Sequence, residues 1–353
     1  GFFGGLYFNH LRHAVYEHLI KAESIADKLN HPTDKWLDFK LFDLDCDSND
    51  ELLISNQKIN LCFKPSYGGS LFEWDFKPES FNLTNVLARR VEAYHRKLKE
   101  AENLSQSANN SEPKSIHDIL IQKEKGLEEI LQYDWYNRYS FLDHFLGDGT
   151  TLETFKTSSY PELGDFVNQP YRVVQISHTP SREEIRVTLG REGHLWEKDG
   201  KRFPVRIIKS FNVRGGSSEV EVVYQITNQN TVTLRLWFGI EFNFNFLSGN
   251  DPKRYYFFPG RHIADDLLNS TGKEGNVATI CLRDEWKNLE VACTFDPPAE
   301  VWRFPLETVS RSEEEFERTY QGSAILSHWE MELPGGESKT YRLLLTAGEI
   351  KSS

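Results

Sequence analysis

Between Val232 and Phe246 every second residue is a bulky apolar side chain: Val232, Leu234, Leu236, Phe238, Ile240, Phe242, Phe244 and Phe246. Successive side chains of a strand point to opposite faces, so this run is a long strand with one face committed to a core. The other face carries Arg235, Trp237, Glu241, Asn243 and Asn245, where an ordinary solvent face would carry Lys, Thr and Glu. Shorter alternating runs occur earlier, at Leu37, Phe39 and Leu41, at Ile59, Leu61 and Phe63, and at Phe72, Trp74 and Phe76. Pro65-Ser66-Tyr67-Gly68-Gly69 reads as a turn between the last two. From about Arg138 to Thr346 the pattern is strand throughout. Many short strands separated by turn signals predict a mainly β, two-sheet sandwich.

The first segment differs. Phe8, Leu11, Val15, Leu19, Ala22, Ala26 and Leu29 recur at steps of three and four, one apolar stripe of a helix that Asn30-His31-Pro32 ends. A short helical excursion is expected at Leu87, Val91, Tyr94 and Leu98. A polar loop over Asn103 to Lys114 follows, then a helix opening at Ser115 with Asp118 completing a capping box. The domain reading is therefore a helical segment at 1–35 and a β domain at 36–353, with a helical insertion at about 83–132.

A net charge of −12 over 353 residues gives no electrostatic footprint for nucleic acid or an anionic membrane. No run is long and apolar enough to span a bilayer. Cys46, Cys62, Cys281 and Cys293 match no zinc spacing and read as reduced thiols of a cytoplasmic protein, with a Cys281–Cys293 bridge the one alternative. The start, Gly1-Phe-Phe-Gly-Gly, has neither an initiator Met nor signal-peptide features, so the chain reads as a piece of something longer.

Three segments mix aromatics, carboxylates and donors as sugar sites do, where ring C–H faces meet aromatics and hydroxyls meet amides and charges. They are Tyr133 to Phe145, with Arg138, Asp143 and His144; the polar face of Glu241 and Asn243; and Ser310 to Gly322, with Tyr320 and Gln321. The bland reading places the aromatics in the core and pairs Arg138 with Asp143. His10, His13 and Glu17 fall within about 60° on the first helix, a weak metal signal. Asp43, Asp45, Asp47 and Asp50 resemble the start of a calcium loop, but Leu52 stands near where the turn glycine belongs, so they read as an acidic loop. Neither group is taken as a metal site, and no cofactor is expected. No nucleophile elbow, dinucleotide fingerprint or phosphate loop is present.

Several segments resemble glycoside hydrolase family 57, the α-amylases and 4-α-glucanotransferases. They are Gly1-Phe-Phe-Gly-Gly-Leu-Tyr-Phe-Asn-His-Leu-Arg12, Ile59 to Phe72 through Lys64-Pro65-Ser66-Tyr67-Gly68-Gly69, Leu87-Ala-Arg-Arg-Val-Glu-Ala-Tyr-His95, Ile116-His-Asp, Arg138, Asp143-His144-Phe145, Ser312-Glu313 and Tyr320-Gln321-Gly322. The resemblance implies a galactose-mutarotase-like supersandwich preceded by the end of a barrel region. It also implies that the catalytic carboxylates lie on an N-terminal barrel outside this sequence, so no catalytic residue is carried over. The expected function is an accessory domain that braces that barrel and contributes to binding α-glucan or malto-oligosaccharide, with Arg138, Asp143, His144, Tyr320, Gln321, Glu241 and Asn243 as contacts. The alternative is a purely structural docking domain. A third reading, mutarotase-type chemistry in this domain itself, requires a His and a Glu facing each other across a polar groove.

Overall fold

Two sheets face each other across one core. The computed structural model describes residues 4–31, 33, 35–96, 98, 121–122, 127, 130–179, 183–197, 199–312 and 315–351. A five-stranded antiparallel sheet runs β1 (Leu37–Phe42), β2 (Glu51–Asn56), β3 (Ile59–Lys64), β4 (Ser70–Phe76), β5 (Phe81–Asn82). Opposite lies a twelve-stranded sheet. Its elements are β6 (Ile121–Gln122), β7 (Leu142–Phe145), β8 (Arg172–His178), β9 (Glu184–Trp196), β10 (Arg202–Arg214), β11 (Glu219–Asn228) and β12 (Leu234–Phe244). It continues with β13 (Arg254–Phe257), β14 (Gly272–Asp284), β15 (Leu289–Ser312), β16 (Glu315–Leu333) and β17 (Ser338–Glu349). The order β7-β12-β16-β15-β17-β11-β10-β9-β8 puts β12 between β16 and the short β7. The mainly β supersandwich read from the sequence is the fold of the chain.

The alternation of β12 does what period two predicts. Phe238, Ile240, Phe242 and Phe244 are buried between the sheets, where Trp74 packs on Phe244 and Phe63 on Phe211. Odd-numbered residues point to the far face of the large sheet, which a segment spanning residues 130–160 covers; the cover includes a short helix, α2 (Leu152–Lys156), that the sequence pattern did not announce. In the Pro65–Gly69 turn, Gly69 has φ +52°, and an added Cβ would lie 2.9 Å from Tyr171 Cγ, so the position excludes a side chain.

Two helical expectations change. Residues 83–92 are irregular, with helix only at His95, Arg96 and Leu98; within the second expected helix, Ile121–Gln122 forms β6, parallel to β16. Asn103–Lys114 and Ser115–Leu120 lie outside the described residues.

The N-terminal helix, α1 (Asn9–Asn30), packs with its polarity reversed. Asn9, Arg12 and Ile20 are buried against the β domain, whereas Leu11, Val15, Leu19, Ile25 and Leu29 are 47–80% exposed. The buried face is held by polar bonds. Arg12 donates to Gln321 Oε1 at 2.8 Å and to the Leu6 carbonyl at 2.6 Å, and Asn9 Nδ2 donates to the Tyr320 carbonyl at 2.6 Å.

All four cysteines are free. Cys281 lies opposite Ala292, and Cys293 opposite Ile280, so the pleat directs the two thiols to opposite faces of the β14–β15 ladder and no bridge forms. A thiol reagent added after unfolding, without reductant, is expected to titrate four groups; two would contradict this arrangement.

Candidate functional site: a sealed charge network beneath an exposed aromatic strip

Glu241 stands at the middle of β12, on the face turned away from the core. β7 runs beside it with His144 opposite Gly239, which brings the imidazole diagonally onto the carboxylate. His144 Nε2 lies 3.0 Å from Glu241 Oε2, and Nδ1 lies 2.9 Å from both Glu162 Oε2 and the Tyr160 hydroxyl. The Tyr136 hydroxyl donates to Glu241 Oε2 at 2.7 Å, while Arg138 at 2.8 Å and Asn243 Nδ2 at 2.7 Å donate to Oε1. Arg138 continues to Asp134 at 2.7 Å, and Asp134 also takes Arg89 at 2.6 Å. The side chains of Arg138, Asp134, His144 and Glu241 are fully buried.

Burial alone would push the Glu241 carboxyl up, but Arg138 and the bond from His144 bring it down to about 2. Burial alone would strip the proton from His144, but Glu162 and Glu241 raise it to about 9. Asp134 is likewise held well below the carboxylate range, because Arg138 and Arg89 outweigh its burial. The network therefore pairs each buried charge with an opposite one, while Arg138 Nε and Asn243 Oδ1 keep no hydrogen-bond partner.

The seven side chains picked from the sequence divide into three groups. Arg138, His144, Glu241 and Asn243 do come together, but they are sealed instead of forming a loop open to a cleft. Asp143 points the other way, because neighbouring residues of a strand face opposite sides. It sits between the sheets, where Lys209 Nζ donates to it at 2.9 Å and the Tyr171 hydroxyl at 2.5 Å. The expected Arg138–Asp143 pair is thus replaced by Arg138–Glu241 and Lys209–Asp143. Tyr320 and Gln321 form the third group: the Tyr320 carbonyl takes Asn9 of α1 while its hydroxyl pairs with Ser323, and Gln321 takes Arg12 and donates its amide to the Tyr7 carbonyl, just before α1, at 2.9 Å. Arg89 and Asp134 were missed as members of the network; their signal was the pair of dense motifs at Leu87–His95 and Tyr133–His144.

A His and a Glu do face each other, as mutarotase-type chemistry requires, but buried solidly and not across a groove. What reaches solvent is the alternate set of the same segment. Asp134, Tyr136, Arg138 and Ser140 are buried, whereas Trp135 is exposed and Tyr133, Asn137 and Tyr139 are half-buried. Trp135 is 43% exposed, Arg90 donates to Asn137, and Tyr67 packs edge-on against Tyr139 at 5.5 Å.

The described contacts of the first helix run elsewhere: Tyr7 donates to Glu92, and His13 packs on Phe81 and Glu17. Among the described residues one cluster has the density of a metal site, Asp43, Asp45 and Glu51. The Lys64 ammonium lies against Asp45, Asp47 at 2.8 Å and Glu51 at 3.0 Å, so the protein supplies its own cation there.

The two-sheet fold is galactose-mutarotase-like. A galactose mutarotase-like protein from Clostridium acetobutylicum superposes with a TM-score of 0.50 over 90% of this chain and 99% of that one, at 10% identity. The C-terminal domain model of α-amylase/4-α-glucanotransferase matches residues 43–342 and the middle-domain model residues 1–26; the chain belongs to this family. Alpha-amylase 1 of Dictyoglomus thermophilum is 40% identical over 345 residues, covering 96% of this chain and 45% of that protein. The 4-alpha-glucanotransferase of Thermococcus litoralis is 30% identical over 91% of this chain and 42% of its own length. Its crystal structure superposes with a TM-score of 0.70 over 98% of this chain and 45% of that one. The chain thus spans less than half the length of these relatives.

Two outcomes are expected for the network. Arg138→Met leaves Asp134 and Glu241 short of a buried partner and should destabilise the fold by about 3–5 kcal/mol, read from urea unfolding; a loss below about 1 kcal/mol would contradict the assignment. The contribution of Glu241, whose folded value is depressed, is complete above its unfolded value of 4.5 and is lost as pH falls towards 2. That of His144, whose folded value is raised, is complete below 6.5 and is lost as pH rises through about 9. Stability from this pair should therefore plateau between pH 4.5 and 6.5, and Glu241→Gln should flatten the acid side.

Proposed function

We propose that this chain is the C-terminal accessory half of an α-glucan-processing enzyme, of α-amylase or 4-α-glucanotransferase type, and that its first task is to brace the catalytic barrel. The observation that carries this reading is the reversed polarity of α1. A row of Leu11, Val15, Leu19, Ile25 and Leu29 along a helix about 33 Å long is more contiguous apolar surface than a finished protein leaves in water. Residues 1–26, which hold most of that row, are the part matched by the middle-domain model, so the partner is the remainder of the same polypeptide. In the whole enzyme the reaction is retaining cleavage of α-1,4-glucan with water or a second glucan as acceptor. Glu241 and Asp143 are committed to cations, so this half supplies binding and support, not the acid and nucleophile.

The outward strip favours a second role, contact with malto-oligosaccharide. Trp135 and Tyr139 offer ring faces, and Asn137 and Arg90 offer hydroxyl partners, on a base fixed by the buried pairs. Arg138, His144, Glu241 and Asn243 then position the strip from behind. The acidic surface suits neither nucleic acid nor anionic lipid as a partner. Four free thiols suit the cytoplasm.

Introducing Leu11→Glu and Leu19→Glu into the whole enzyme should lower its melting temperature by several degrees, while this chain alone shifts by about one degree or less. Equal shifts in both would remove the docking argument. This chain alone should release no product from maltoheptaose and should bind it near the millimolar level, about −4 kcal/mol. Trp135→Ala should abolish that binding at unchanged stability. If maltoheptaose leaves the Trp135 indole resonance in place, bracing is the sole role.

A further inference from the structure

We propose that the groove between α1 and the outer face of the five-stranded sheet is a docking site for an apolar segment of the remainder of the same polypeptide. The inference rests on the bracing role proposed above and carries that contact from the helix onto the β domain. The groove encloses about 330 Å³. Ala26 lines it from α1; Phe42 on β1, Leu44 just after it and Leu53 on β2 line it from the sheet. Leu41, Phe42 and Leu44 are 44%, 37% and 43% exposed, and they close an edge strand that pairs with β2 alone. Single apolar residues on a surface need no explanation, but a contiguous group beside a second exposed apolar row marks a contact surface.

Continuity with the exposed row of α1 carries the inference. At 100° per residue, Ala26 projects between Val15 and Leu19, about 20° from each. The residue that lines the groove therefore belongs to the exposed row, and row, groove and the end of β1 form one surface. Whatever covers Leu19 borders the groove. The two walls also come from different family domains. Ala26 lies in the part matched by the middle-domain model, and Leu44 and Leu53 lie in the part matched by the C-terminal model. The chain covers 45% and 42% of the two relatives named above, so more than half of such a protein is left to supply the segment. Because that segment is tethered, filling the groove is an intramolecular step, and a small contact suffices.

Other occupants fit less well. A sugar would lie on the tryptophan of the groove, but Trp36 stacks on His31 at 4.0 Å and takes the Lys77 ammonium at 4.8 Å from its ring centre, so both of its faces are taken. A second copy of this chain would set like charges against each other. The carboxyl groups of Glu23, Asp27, Asp38 and Glu73 border the groove with Lys40 as their counterpart, on a chain of net charge −12.

Cysteine labelling of this chain and of the whole enzyme tests the site, in a Cys46→Ser background because Cys46 is exposed. Leu44→Cys reports the groove and Val15→Cys the helix row, each read at its own peptide by mass spectrometry. Both should react with a maleimide in this chain, and both should react at least about tenfold more slowly in the whole enzyme. Phe42→Cys serves if the Leu44 variant fails to fold. Phe42→Glu should lower the melting temperature of the whole enzyme by several degrees and that of this chain by about one degree or less. Protection of Val15→Cys without protection of Leu44→Cys would overturn the groove and leave bracing intact. Equal labelling of both positions in the two forms would overturn bracing and the groove together. Protection of Leu44→Cys in this chain alone, growing with its concentration, would overturn the proposal in favour of a second copy.

Discussion

The pairing of Arg138 with Glu241 is the contact on which the exposed side of the large sheet depends. A strand face that carries a carboxylate and amides cannot be covered by an apolar layer, because each polar atom would lose its hydrogen bonds. The covering segment solves this by sending Asp134, Tyr136 and Arg138 inward at every second residue. The same alternation leaves Trp135 exposed and Tyr133, Asn137 and Tyr139 half-buried. Interior chemistry and outer surface are thus two sides of one choice of register. A low local dielectric makes the arrangement nearly all-or-none, since each member is tolerable only while its partners are present.

Much of the fold was legible because β12 announces itself. An unbroken period of two over the length of a strand has no helical interpretation, and the turn at Pro65–Gly69 marks a hairpin by composition alone. The helical excursion failed at Leu87–Val91 for a tertiary reason. The Arg89 N–H donates to Asp134 Oδ2 at 2.7 Å, and the Asp134 N–H donates to the Arg89 carbonyl at 2.9 Å. That long-range pairing claims the backbone groups a helix would have used, whatever the spacing of Leu87 and Val91 suggests. At the candidate site, sequence density found residues that meet in space. It could not reveal what lies on top of them, because the cover of a sheet face is set by a segment about 100 residues away. Nor did adjacency help: Asp143 and His144 are neighbours in the chain and on opposite sides of the sheet.

The helix α1 shows the same logic at another boundary. A polar face turned inward and an apolar face turned outward is the reverse of a surface helix, and it makes sense for an element shared between two bodies. The inward bonds, Arg12 to Gln321 and Asn9 to the Tyr320 carbonyl, are specific in direction and fix the helix on one body. The outward stripe is nonspecific in direction and suits a broad contact with another.

The sequence distance across this interface bears on how the molecule is made. Arg12 and Gln321 are 309 residues apart. At roughly 5–20 residues per second, about 15–60 s pass between synthesis of the helix and emergence of its anchor from the ribosome. Throughout that interval the face destined for the β domain stays hydrated at little cost, since Asn9 and Arg12 are satisfied by water and Ile20 is its one buried apolar residue. Had the long-delayed contact been the apolar one, the nascent chain would have carried an adhesive helix for the whole time. Assigning the late contact to polar atoms lets the helix wait.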